Sequence, residues 1–219
     1  MGYAPVNNTI VFAGTKANII EFLNLGLRNS ILPCVKDGDI QQYIEFLMAN
    51  GRHYELDRRI REDERYFANG LTMGTFRRLP DNYLKYTDSE YDYNYVFRFG
   101  CDFDAEITSM CFSNINGYCT IEVIVETNSC PPEKWVKYIK DVIGFKFAFI
   151  HSADYDENCF NYFKEIDDES DHADHEYTER YFEIEAEADD DEVAKTMLDS
   201  LNDKIENWFT KYILDKTKE

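Results

Sequence analysis

The spacing of apolar residues changes along this chain, from helical in the first quarter to alternating in the second half. Residues 7–13 (NNTIVFA) alternate and read as a short strand closed by Gly14. Thr15 then caps a helix predicted over 16–29, where Ile19, Phe22, Leu23 and Leu27 share one face. A second helix is predicted over 39–50, with Ile40, Tyr43, Ile44 and Leu47 aligned and Gly51 as its stop. The charged run at 52–67 reads as a short exposed helix anchored only by Leu56 and Ile60. Residues 69–94, with Gly70, Gly74, Pro80 and many tyrosines, read as loops.

From residue 95 the period becomes two, which is the signature of a sheet. Tyr95, Phe97, Phe99, Cys101 and Phe103 occupy one face of a candidate strand, and 117–126 (GYCTIEVIVE) forms another, paired through a loop near Ser113–Gly117. Pro131 and Pro132 open a helix whose stripe is Trp135, Val136, Ile139 and Val142 or Ile143, and Gly144 ends it. Residues 145–151 read as a strand and 159–163 as its hairpin partner. Residues 177–188 (YTERYFEIEAEA) alternate as well, which predicts a strand with Phe182, Ile184 and Ala186 turned inward. A last helix opens at Asp189–Glu192, where carboxylates favour a helix N-terminus. Its expected core face is Val193, Met197, Leu201, Ile205, Trp208 and Tyr212.

These elements predict an α+β fold, an antiparallel sheet with helices packed on one face. One domain spanning 1–219 is expected: a strand–helix start (1–30), a helical and loop insertion (31–94), and a sheet with helices and an acidic C-terminal third (95–219).

Composition narrows the class. No basic region followed by a long apolar stretch opens the chain, no window of about 18 apolar residues exists, and Ala4, Pro5 and Val6 give the Met-Gly start little support as an acylation signal. A cytoplasmic protein without a membrane segment is expected. The six cysteines (Cys34, Cys101, Cys111, Cys119, Cys130, Cys159) contain no C-x-x-C pair. They read as reduced thiols rather than a disulfide framework or zinc site, Cys119 sharing the face of Ile121, Val123 and Val125.

Two segments resemble the YubB-type family, proteins of plasmids, integrative elements and phages. Asn7–Leu23 is similar to the family's opening, an Asn and an alternating strand followed by Gly and a helix ending in Phe-Leu. Glu126–Phe163 is similar to its stretch with Thr-x-x-x-Pro-Pro, an amphipathic helix, then an aromatic strand and hairpin, with Thr127, Pro131 and Pro132 carrying the match. The family's Trp-Gly-Thr-Lys-Trp segment has its nearest counterpart in Met73–Arg78 (MGTFRR), which has no tryptophan, and Ser129 and Cys130 stand before the prolines where the family has a tryptophan before Ser-Pro-Pro. The resemblance implies a ferredoxin-like fold and a mobile-element origin, and it carries no reaction.

Candidate chemistry is sparse. His172 and His175, flanked by Asp171, Asp174 and Glu176, have a spacing that on a helix could present two imidazoles to Zn²⁺ or Mn²⁺, the basis for a metal-assisted hydrolase. The stretch has no apolar stripe to fix such a helix, so a solvated acidic loop is the preferred reading, with no metal and no cofactor. Phosphate-loop, nucleophile-elbow and H-E-x-x-H motifs do not occur. Cys130 has no histidine near it in sequence.

Charge carries more information than any single motif. The chain has 43 acidic and 23 basic residues, a formal charge of -20. From Asp154 to Glu219 there are 23 acidic and 7 basic residues, so -16 of the -20 lies in the last third. On a strand, Glu183, Glu185 and Glu187 would form an outward row about 6–7 Å apart. Asp167, Asp168, Glu169, Asp171, Asp174 and Glu176 would extend it, followed by Asp189, Asp190, Asp191 and Glu192. Interleaved with Tyr162, Tyr177 and Tyr181, such a row would imitate a phosphate backbone and bases to a host nucleic-acid-binding protein, which makes these residues the expected partner surface. Solubility alone is the plainer explanation of the same charge, and an assembly module of a phage or plasmid is a third. Arg52, Arg58, Arg59, Arg61, Arg65, Arg77 and Arg78 are the one basic concentration, interspersed with Glu55, Asp57, Glu62, Asp63 and Glu64. The net charge disfavours direct binding to nucleic acid.

Overall fold

The computed structural model describes residues 5–29, 53–55, 107–128, 130–154, 160–168, 170–188 and 190–218. The helix predicted at 39–50, the loops at 69–94, the candidate strand at 95–103 and all the arginines of the basic concentration lie outside the described residues. The described elements are β1 (Pro5–Gly14), α1 (Lys16–Asn29), β2 (His53–Glu55), β3 (Ile107–Ile115), β4 (Tyr118–Asn128), α2 (Glu133–Ile143), β5 (Phe147–Asp154), β6 (Phe160–Glu165), α3 (Asp174–Glu187) and α4 (Asp191–Lys216). The strands form one sheet in the order β2-β3-β4-β1-β5-β6, and every neighbouring pair is antiparallel. The protein is therefore α+β.

Strand β1 lies inside the sheet because it is apolar on both faces. Ile10 pairs with Val123 of β4 on one side and Ile150 of β5 on the other. Ile10 and Phe12 pack with Ile121, Val123 and Ile150 beneath α1 and α2, which contribute Ile19, Phe22, Trp135, Val136 and Ile139. The alternate residues Val11 and Ala13 face the other way, with Phe147, Phe149 and Phe163, beneath α3 and α4. Two cores thus share one sheet. In the series β1-α1-β3-β4-α2-β5, β4 lies between β3 and β1, and β1 between β4 and β5, so β1 and β3 are parallel strands separated by β4, which is split β-α-β connectivity.

Helices on one face alone describe only α1 and α2, because the segment predicted as a strand at 177–188 is helical. Tyr177 and Ile184, seven apart, are each 1% exposed, whereas Phe182 is 61% exposed and Ala186 is exposed. Period 3.6 therefore prevails over the apparent alternation, helped by the helix-forming Glu and Ala that fill the segment. The hairpin before it also differs in its pairing. Asn116 (φ 49°) and Gly117 (φ 88°) form a two-residue turn joining β3 to β4, and Ser113 sits within β3, bonded to the Thr120 hydroxyl at 2.6 Å. His53–Glu55 is not the start of an exposed helix. It pairs with Ser109–Cys111 and satisfies the edge of β3.

In α4, the Asp190 carboxylate accepts from the backbone N–H groups of Glu192 and Val193, as the expected acidic start requires. The fully buried side of α4 is Leu201, Ile205, Phe209 and Ile213; Met197, Trp208 and Tyr212 flank it, and Val193 is 45% exposed. No described helix is long and apolar enough to cross a membrane.

Candidate functional site

The sheet carries a buried polar row that the alternation itself produces. Asn8, Ser152 and Tyr162 stand side by side on β1, β5 and β6, on the face that α2 covers. Asn8 Nδ2 donates to the Thr127 hydroxyl at 2.9 Å and to the carbonyls of Val6 and Val125, and the Ser152 hydroxyl donates to Asn8 Oδ1 at 2.8 Å. Thr127 in turn donates to the Cys130 carbonyl at 2.7 Å, which fixes the approach to the two prolines. Tyr162 donates to Glu133 Oε1 at 2.7 Å, and Lys164 bridges Glu133 (2.8 Å) and Asp171 (3.1 Å). Burial first, and the Glu133 carboxylate after it, push the Tyr162 phenol far above its ordinary range, so it serves as a fixed donor.

On the opposite face, His151 Nε2 shares a 2.7 Å hydrogen bond with Asn161 Oδ1, and the Asn161 amide donates to Asn202 Oδ1 at 3.2 Å. Burial lowers the His151 pKa, outweighing the Asn161 bond and the Glu206 charge. Ser152 and His151 are adjacent in sequence but point to opposite faces, so they do not form a nucleophile–base pair. The polar row specifies strand register and holds α2 in place. Burial, followed by the Glu122 charge, raises the Cys111 thiol and disfavours its reactive thiolate form.

The predicted acidic surface divides into three groups. Asp167 is held by Lys137 at 2.7 Å and by Lys140, and its pKa is lowered, first by the Lys137 hydrogen bond. Asp168 accepts from the Ser170 backbone N–H, which leads the causes lowering its pKa, and lies 3.8 Å from Lys216; Asp171 is paired with Lys164. These three carboxylates tie the β6–α3 connection to α2, α4 and the sheet. Glu176 and Glu183 are exposed on α3, Glu183 accepting from Arg180 at 2.7 Å, and Glu192 is exposed on α4 behind the capping Asp190. Asp174, Glu185, Glu187 and Asp191 have helical backbone, their side chains lying outside the description together with Glu169 and Asp189.

The strand-borne row of Glu183, Glu185 and Glu187 is not formed, because residues two apart on a helix project to different sides. Nor do the tyrosines interleave with it at the surface: Tyr162 is 9% and Tyr177 1% exposed, and Tyr181 is half-buried. A different row, on α4, is formed instead. Glu192, Asp199, Asp203 and Glu206 are all exposed on α4 at relative positions 0, 7, 11 and 14, one flank of the helix, and span about 21 Å at 1.5 Å per residue. Among the described residues none of these four takes part in an ion pair. Their i, i+7, i+11, i+14 spacing was the available signal.

His172 does not project into solvent as a ligand. It bridges Phe163 through both backbone groups, and its ring packs between Phe163 and Tyr212, with centroids at 5.6 and 4.8 Å. Among the described residues no three His, Cys, Asp or Glu side chains converge as a metal site, and the His175 side chain lies outside the description.

The fold and surface together define an α+β protein with a two-sided sheet and an acidic helical flank. No family model matches the chain, and no curated protein or solved structure matches it either.

Proposed function

We propose that this chain is a non-enzymatic inhibitor of mobile-element origin that occupies the nucleic-acid channel of a host defence enzyme, a CRISPR effector or restriction nuclease, in the cytoplasm. The observation that carries the reading is the α4 flank of Glu192, Asp199, Asp203 and Glu206, a rigid line of carboxylates within the third of the chain that holds -16 of the net -20. A basic channel is drawn to such a line over long range and in a salt-dependent way. Glu176 and Glu183 on α3 extend the acidic surface, while Asp167, Asp168 and Asp171 serve the fold.

The mobile-element origin rests on the YubB-type resemblance. Its two segments adjoin: the opening strand and the Thr-x-x-x-Pro-Pro stretch are joined by the Asn8–Thr127 hydrogen bond. The ferredoxin-like reading is supported by the β-α-β-β-α-β order with α1 and α2 on one face.

The test is a pull-down from host lysate at low and moderate salt, using the native chain and a variant with Glu192, Asp199, Asp203 and Glu206 all changed to Lys. The expected result is a nucleic-acid enzyme that the native chain retains, that DNA or RNA competes off, and that the variant fails to retain. A variant that folds and binds the same partner equally well removes this flank from the interface.

A further inference from the structure

The other flank of α4 has the opposite character. Between α3 and α4 lies an open groove of about 380 Å³, with Ile184, Met197 and Leu201 as its floor, Arg180 and Lys204 at its rim, and Thr196 and Ser200 beside them. None of these lining residues is acidic, on a chain with 43 acidic residues. Ile184 is 1% and Leu201 8% exposed, so the floor is fixed by the sheet core beneath it. Arg180 is oriented by Glu183, and the Lys204 ammonium lies 4.5 Å from the ring centre of Trp208. The Thr196 hydroxyl donates to the Glu192 carbonyl, and Ser200 is the other hydroxyl on the lining.

An apolar trough with cations at its mouth matches a ligand of one design: an anionic head joined to an alkyl tail. We propose that the α3–α4 groove is a binding site for an amphipathic monoanion, a medium-chain carboxylate. Its head lies between Arg180 and Lys204, and its chain of about ten carbons runs along Ile184, Met197 and Leu201, in a groove within the size range of small-molecule sites. Charge complementarity selects the carboxylate over a neutral or cationic amphiphile, because two cationic side chains stand at this mouth and none of its lining residues is acidic. The proposal does not depend on the inhibitory reading.

The experiment is a titration of the full chain with sodium decanoate below its micelle concentration, followed by backbone amide NMR shifts and by tryptophan fluorescence. Trp208 lies beside Lys204 and responds, while Trp135 is fully buried in the other core. The expected result is saturable binding with a dissociation constant of about 1 mM or tighter. Shifts should be confined to α3 and α4, and decanol and decylammonium should bind about tenfold more weakly or worse. Lys204→Glu should weaken decanoate about tenfold, and Ser200→Trp should block it by filling the groove, both with unchanged circular dichroism because both positions are exposed. Non-saturating shifts, shifts outside α3 and α4, equal affinity for decanol, or unaltered binding by Lys204→Glu would each overturn the proposal.

Discussion

The Asn8 side-chain amide donates to the Thr127 hydroxyl at 2.9 Å across 119 positions of sequence, and the same amide group also serves the Val6 and Val125 carbonyls. Asn8 and Thr127 are both fully buried, as is Ser152, which donates to the Asn8 side-chain oxygen Oδ1. Replacing Asn8 by Ala strands these partners without water. The expected cost is about 2–4 kcal/mol, two or more unsatisfied buried groups at about 1–3 kcal/mol each with partial relaxation, read from urea denaturation. A loss below about 0.5 kcal/mol would mean that the row does not organise the sheet.

Position 182 discriminates helix from strand at α3. Phe182→Ala should change stability by no more than about 0.5 kcal/mol, since the ring is largely in water. Ile184→Ala, two residues on, should cost about 2–4 kcal/mol as a cavity opens over the sheet. Comparable losses at both positions would restore the strand.

His151 imposes a pH dependence with a definite sign. Its folded pKa lies below the ordinary 6.5, chiefly through burial, so the unfolded chain binds the proton first. Stability should be at its full value above about pH 6.5 and decline as pH falls from there through the folded pKa. Denaturation midpoints of the native chain and His151→Phe between pH 7.5 and 5 test this, at roughly half-unit steps. The variant should show the shallower slope. An equal slope in both would assign the titration elsewhere.

Lys164 joins three elements through Glu133 and Asp171, and these two partners hold its pKa up against the burial that would lower it. Lys164→Met keeps the stem and removes the ammonium. With both carboxylates partly exposed, the expected loss is about 1–2 kcal/mol, falling at high salt for the native chain only. Thermal unfolding at low and at near-molar salt reads both quantities.

Much of this architecture was legible in the sequence where one signal dominated. The helix at 16–29, the stripe of Trp135, Val136 and Ile139 with its stop at Gly144, and the alternating strands around Ile10 and Val123 all appear as their spacing predicts. Gly144 sits at φ 80°, the left-handed stop its type suits. The failures have physical causes. In 177–188 a charged residue happens to fall between apolar ones over six positions, and only the longer Tyr177–Ile184 interval betrays the helix. The hairpin loop expected near Ser113–Gly117 narrows to the Asn116-Gly117 turn, because Ser113 and Asn114, although polar, belong to β3. The candidate site was legible as a quantity of charge and not as a pattern: which carboxylates are spent on Lys137, Lys164 and Lys216 is a matter of tertiary neighbours, and no spacing rule announces it.

The two-sided sheet binds surface charge and structural integrity into one inheritance. The helices that carry the negative charge are also the roof over Phe147, Phe149 and Phe163, so a frameshift after Ala173 would remove both at once. The segment that bears the carboxylates on the outside of α3 and α4 cannot be discarded without leaving a bare wall of phenylalanine.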